Sequence, residues 1–323
     1  MKTKINLLLF IFLIALIAIA TSYQLNDFAS LKNNEGVLTD MRSLVLLEIR
    51  LPRIALAVLT GTSLALAGNA MQGVFQNPLA SPGLLGSSAG ATLVSVFILY
   101  YLSVPFIWLL LGGMAGALSS FLLVWLITKN HGTTMMIFSG VAVNVLLGST
   151  VTLLLSNAES PWALAELYRW LQGSLVWARL DSVLMSLPFL ALGVICLYFT
   201  RRYLDVLTFG EETASTMGVN LPRSFFLLSL GVALLLGATI PQTGTIGFIG
   251  LIAPHLARLW MKKPPSQLYL PSALIGALIM LTADLAVQFV PFFANIYIGT
   301  LTSLLGAPFL IWILVTQQRQ ITG

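Results

Sequence analysis

Cysteine is almost missing from this chain. The single Cys196 excludes an intrachain disulfide and any cysteine-cluster metal site. Histidine is nearly as scarce: His131 follows Lys129-Asn130 at the end of an apolar run, as a loop residue would, and His255 has no acid or cysteine near it in sequence. A metal ligand needs companions, so neither histidine marks a metal site. No Gly-Lys-Ser/Thr phosphate-binding sequence occurs, so any ATP-driven work requires hydrolysis by another chain. No catalytic grouping emerges, and the chain is not read as an enzyme. Neither a cofactor nor a resident metal is expected.

Charge is also sparse. Only 8% of the 323 residues are charged, against about 25% in an ordinary soluble domain. Hydrophobic residues make up 58%, and the mean hydropathy is +0.94. Apolar runs recur at 5–20, 54–67, 91–111, 114–128, 134–155, 182–199, 224–238, 270–290 and 298–316, with a shorter Gly- and Pro-bearing stretch at 246–260. Each long run suits a hydrocarbon core of about 30 Å. The expectation is an all-α polytopic membrane protein of about ten spans, a single transmembrane domain over 1–323. Its first half covers about 1–200 and its second about 222–323, with a segment at about 203–221 between them. No small-residue cleavage site stands out after Leu7–Ala20, so that run reads as a retained first helix.

The net charge of +5 comes from 16 basic and 11 acidic residues. In a soluble protein it would raise nucleic acid as a partner; here it reports topology, and the bilayer is the partner. An inside amino terminus puts ten basic residues on the cytoplasmic side, among them Lys2, Lys4, Arg201, Arg202, Arg223, Arg258, Lys262 and Lys263. Six then lie outside: Lys32, Arg42, Arg50, Arg53, Arg169 and Arg179. That is a positive-inside bias. The outer segment 26–50 is mixed in charge and is expected to hold a short helix. In the second outer segment, 157–181, Trp162, Trp170 and Trp177 recur at helical spacing, which predicts a helix in the interface, where indoles favour the headgroup level. Inside, Glu211–Met217 predicts two helical turns stopped by Gly218, a candidate contact for a soluble partner.

The chain echoes itself. Leu51-Pro52-Arg53 and Leu221-Pro222-Arg223 are each followed by glycine ten residues after the leucine, at Gly61 and Gly231. Topology puts the first copy outside and the second inside. Similar halves of opposite orientation are the sign of an inverted repeat around a central path. The densest polar-backbone cluster, Asn77-Pro78-Leu79-Ala80-Ser81-Pro82-Gly83, fits such a path, since broken backbone at membrane depth needs cover by protein or water. Asp284 is the one acid well inside a span, which suits either a coupling-ion site or an interior hydrogen-bonding group near Thr282. Arg50 and Arg53, three residues apart at an outer span end, suit either snorkelling to headgroups or an acidic partner outside.

Longer motifs narrow these alternatives. Ile49–Arg53, Ala67-Gly68-Asn69-Ala70-Met71-Gln72-Gly73, Asn77–Gly86 and Ser88-Ala89-Gly90 resemble the FecCD family of importer permeases for iron-siderophores, haem and vitamin B12. Gly210–Ala214 with Met217–Asn220, Gly247–Arg258, Ala283-Asp284-Leu285 and Leu305-Gly306-Ala307-Pro308 follow in family order. The resemblance implies the type II ABC importer permease fold in a bacterial cytoplasmic membrane. It implies a second permease subunit, identical or paralogous, two cytoplasmic ATP-binding subunits, and an extracytoplasmic substrate-binding protein. It assigns ATPase coupling to Glu211, Glu212 and Thr213, and a path to Asn144, Ser149 and Thr150 with Ser87 and Ser88 near its inner gate. It also assigns docking of the binding protein to Arg50 and Arg53. The implied cargo is a ferric siderophore, with haem or cobalamin as alternatives; an ion-coupled secondary transporter using Asp284 is the alternative of another class. Three positions depart from the family pattern. Gln288 stands where an outer arginine is common, Lys262–Ser266 replaces a Gly-x-Asp-His-Arg stretch, and Tyr297-Ile298-Gly299 replaces Pro-Val-Gly.

Overall fold

A computed structural model describes residues 2–22, 31–32, 38–39, 41–102, 104–128, 133–158, 160–293 and 295–321. His131 and most of the outer segment 26–40 lie outside the described residues. The chain runs through α1 (Lys2–Ser22), the hairpin β1 (Leu31–Lys32) and β2 (Leu38–Thr39), and the short α2 (Met41–Leu44). A wide π-type turn, Val45–Arg50, then enters α3 (Leu51–Val74) without a break. Next come α4 (Ser87–Tyr101), α5 (Phe106–Thr128), α6 (Thr133–Ser156), α7 (Pro161–Leu171) and α8 (Leu180–Phe199). Two short helices, α9 (Arg201–Leu207) and α10 (Glu211–Thr216), precede α11 (Leu221–Thr243), α12 (Ile249–Met261), α13 (Tyr269–Phe289) and α14 (Ile298–Ile321).

Among the described residues, seven helices are long and apolar enough to cross a membrane, and α4 and Ile298–Ile313 of α14 are shorter apolar helices. With the 13-residue α12, about 20 Å long, these make the ten helices read from the sequence. One boundary moves. The apolar run at 91–111 is not one element: α4 ends at Tyr101, and Pro105 precedes α5. Leu102, Val104 and Phe106 keep the turn as apolar as the helices, so hydropathy cannot see it. Gly112 and Gly113, between the two apolar runs, are contact sites inside α5. A Cβ on Gly113 would lie 2.4 Å from the Pro241 ring on α11.

The two central helices exchange partners between halves. α3 packs against the α12–α13 pair, and α11 packs against the α4–α5 pair. α11 begins with Pro at its first turn, where a missing N–H costs nothing, whereas Pro52 of α3 lies just after the π-type turn. Lipid gives no hydrophobic drive between helices, so close backbone packing through small residues must hold them. A Cβ on Gly61 of α3 would fall 2.3 Å from the Gly276 oxygen of α13, and one on Gly237 of α11 would fall 2.4 Å from Met114 Cα of α5. The glycines of the sequence echo are not equivalent crossings: Gly61 meets α13, whereas Gly231 meets Gly193 of α8. α3 and α11 are mostly buried, while α1 and α6 leave most of their surface uncovered.

Candidate translocation site and its coupling surfaces

The Asn-Pro-Gly cluster folds into a compact turn between α3 and α4. Asn77 accepts from Leu79 N through Oδ1 at 2.9 Å and from Ala80 N through its backbone oxygen at 3.1 Å. A single 3-10 turn, Pro82–Leu85, follows, and Gly86 takes the left-handed φ of 78° that starts α4. The second half builds a matching entry to α12. There Phe248, a non-glycine residue at φ 65°, begins the helix. Such a backbone persists only where packing imposes it, and Phe248 is seated on α14: a Cβ on Gly306 would come 2.3 Å from its own Cβ.

These two turns face one another across a cavity of about 340 Å³, lined by Ser81, Gly83 and Ser88 from one side and Thr245, Gly247 and Phe248 from the other. Ser303 of α14 and Leu64 of α3 complete its wall. Conserving the gap between halves depends on Gln72. Its Nε2 donates to Leu251 O at 3.1 Å and its Oε1 accepts from Arg258 at 3.3 Å. Asn69 donates to Pro265 O at 2.8 Å. Neither amide was singled out from the sequence, although both sit within the motif Ala67–Gly73.

Of the residues assigned to the path, Ser88 lines this cavity and Ser87 is buried beside it. Asn144 reaches it indirectly: Nδ2 donates to Gly83 O at 2.7 Å, tying α6 to the turn. α6 presses close here, since a Cβ on Gly140 would lie 1.8 Å from Leu84 O. Ser149 and Thr150 do not line the cavity. They lie farther along α6, where Ser149 is exposed and Thr150 donates to Leu146 O at 2.9 Å. His255 is buried edge-on to Phe309 at 5.9 Å. Its Nδ1 has no partner among the described residues.

The inside connection contains a helix that the sequence reading missed. α9 buries Tyr203, Leu204, Val206 and Leu207, an apolar spacing that could have signalled it. It is pinned from several sides: Asp205 accepts from Ser266 N at 3.1 Å and from Ser266 Oγ at 2.5 Å, and Gln76 donates to Leu207 O. Burial, with the charge of Glu211 nearby, pushes the Tyr203 phenol well above its ordinary pKa. Gly210, at φ 96° with open space around it, turns the chain into α10. On α10 only Ala214 is buried; Glu211, Glu212 and Thr213 face outward, flanked by Phe209 and Met217, 70% and 47% exposed.

At the outer end the two arginines differ. Arg53 forks onto Asp284 of α13, with Nε at 2.9 and 3.1 Å and Nη2 at 2.8 Å. Gln288 Nε2 adds a third donor at 2.7 Å. Of the two readings of Asp284, the interior hydrogen-bonding group fits, but its partners are Arg53 and Gln288 rather than Thr282, and it is fully buried in an ion pair between α3 and α13. Arg50 donates to Thr21 O at 3.1 Å, joining α3 to the end of α1. Of the three tryptophans expected on one helix, Trp162 and Trp170 lie on α7, capped by Ser160 on Ala163 N at 3.2 Å, and Trp177 lies in the turn beyond its end. Trp162 and Trp177 are 85% and 67% exposed, while the Trp170 indole turns in toward Pro241 O at 3.4 Å.

Residues 7–316 match the FecCD transport family along nearly their whole length. The chain belongs to that family. The hemin transport system permease HmuU of Yersinia pestis is 37% identical over 288 residues, covering 86% of this chain and 85% of its own. The Fe(3+) dicitrate transport system permease FecD of Escherichia coli is 36% identical over 274 residues, covering 84% and 85%. A solved structure described as an inward-facing, metal-chelate type ABC transporter superimposes with a TM-score of 0.85 at 27% identity, over 98% of this chain and 99% of that one. As a FecCD protein the chain is a polytopic permease subunit of an ABC importer. It works with ATP-binding subunits that hydrolyse the nucleotide, a partner permease and an extracytoplasmic binding protein. Family membership removes the ion-coupled alternative, and the carboxylate it required is occupied by Arg53 and Gln288.

Proposed function

We propose that this permease carries a ferric siderophore, delivered from outside, along a path shared with a second permease subunit. The observation that carries the reading is the cavity where the entry turns of α4 and α12 meet, beside an α6 whose outward face has no cover within the chain. The cavity is small and mostly apolar, with the hydroxyls of Ser81 and Ser88 on one side and of Thr245 and Ser303 on the other, which suits a gate that a delivered substrate must open rather than a tight pocket. Ser81, Ser88 and Ser303 would form its hydroxyl lining, and Ser149 and Thr150 would face the path from α6, with Asn144 fixing the turn. α10, presenting Glu211, Glu212 and Thr213 between exposed Phe209 and Met217, would seat on the ATP-binding subunit. Exposed apolar residues flanking charges suit a protein contact. Arg50 and Arg53 would serve docking of the binding protein, with much of the Arg53 charge already met by Asp284. Relatives named for ferric citrate and ferric hydroxamate import support the cargo, as does the metal-chelate description of the superimposed transporter.

The test is uptake into proteoliposomes holding the complete transporter and its binding protein, offered a ferric hydroxamate, ferric citrate, hemin and cobalamin. Accumulation of a ferric chelate, dependent on ATP inside and insensitive to collapse of ion gradients, is the expected result. Accumulation of hemin or cobalamin alone would replace the cargo while keeping the importer.

A further inference from the structure

A second cavity lies on the other side of α3. It is a groove of about 830 Å³ at the cytoplasmic end of α1, α3, α8 and α13, with walls that include Leu66, Val194, Leu197 and Ala273. Thr62 and Leu66 face it, while Leu64 faces the central cavity. Residues two apart point to opposite faces of a helix, so α3 separates groove from path. Val194 and Leu270 are exposed, so the groove opens sideways, where the acyl chains of the bilayer lie.

Three cations gather at its inner rim: Arg201, Arg202 and Lys263. The one acid there, Asp205, is held by Ser266. Among the described residues none of the three cations is in an ion pair. Arg201 lies over the Tyr198 ring at 3.5 Å, which fixes its guanidinium at the groove mouth. Arg202 donates to Met217 O at 3.2 Å, directly after α10. An apolar trough topped by cations at the cytoplasmic headgroup level matches the amphiphile that surrounds it.

We propose that this groove binds an anionic phospholipid, its acyl chain along Leu66 and Val194 and its phosphate among Arg201, Arg202 and Lys263, beside the segment that carries α10. The site is independent of the cargo and of the central cavity.

Native mass spectrometry of the complete, delipidated transporter tests it, with phosphatidylglycerol and phosphatidylcholine of identical chains as probes. Cations at a membrane surface favour anionic lipid strongly enough that a preference on the order of tenfold or more is expected. Arg201→Gln with Arg202→Gln and Lys263→Gln should abolish that preference. Val194→Trp should weaken phosphatidylglycerol binding with all three cations in place, because it fills the trough. Inorganic phosphate at matched ionic strength should not displace the lipid. Equal binding of the two lipids by the unaltered protein would overturn the proposal. So would a preference that survives the triple variant, or phosphatidylglycerol binding left unchanged by Val194→Trp. Displacement by phosphate alone would make the site one for a free anion and would equally overturn it. Should the triple variant fail to assemble, the unaltered protein and Val194→Trp still decide.

Discussion

At the scale of single residues, Arg53 and Asp284 carry the most consequence. They are 231 positions apart, and each was visible: a basic residue at an outer span end and an acid within a span. Their meeting was not, because nothing in local pattern ties α3 to α13. The Gln288 contact was more legible, since it lies four residues after Asp284 on one helix face. Removing one partner of a buried pair strands the other charge, which costs about 3–5 kcal/mol. Arg53→Ala should destabilise the purified transporter by about that much, read by thermal unfolding in detergent, while Arg53→Met with Asp284→Leu should recover most of the loss. A double variant no more stable than the single one would show that the guanidinium, not the pairing, is what holds α3 to α13.

Elements behave as the sequence suggested where period and punctuation agree, and depart where they do not. α10 is bounded by Gly210 and Gly218, and its exposed acids were legible from composition alone. The buried α9 beneath it was not, because Tyr203–Leu207 reads equally as a continuation of the span before it. In the proposed coupling the pair would act as a lever, since α9 is pinned to α3 and to the 265–268 turn and α10 projects from it. Glu212→Arg, or deletion of two residues within 211–219, should lower co-purification of the ATP-binding subunit or uncouple hydrolysis from uptake. Normal behaviour in both assays would remove α10 from the coupling surface.

On α6, the exposed Ser149 and the half-buried Thr150 make a separate test. In a Cys196→Ala background, cysteine at either position should react with small aqueous thiol reagents, and bulky adducts should slow import. Protection in every nucleotide state of the assembled transporter would place that face against lipid or in a packed subunit contact.

For the whole molecule, the exchange of central helices makes each half incomplete without the other. Its tightest point is Gly68, where a Cβ would lie 1.7 Å from the Gly250 oxygen, next to the cavity. Gly68→Val has no room to relax, since the obstacle is backbone on α12. It should prevent stable assembly, measured as loss of a monodisperse peak after mild solubilisation. A well-folded Gly68→Val protein would mean that α3 and α12 are not held at this distance in the assembled transporter.

The sequence by itself determined the membrane class, the ten helices and the family, because these rest on composition, run length and motif order along one chain. Hydropathy could not place the α4–α5 turn, whose residues are as apolar as the helices they join. Tertiary structure alone decided that Asp284 meets Arg53, that Gln72 bridges α3 to α12, and that Asn144 serves the turn at Gly83. It also decided that α3 divides a central cavity from a lateral groove. Those facts depend on which faces of distant helices touch. In a bilayer that choice is made by small residues and buried polar pairs, not by the hydrophobic period, which reads nearly the same on every face of these helices.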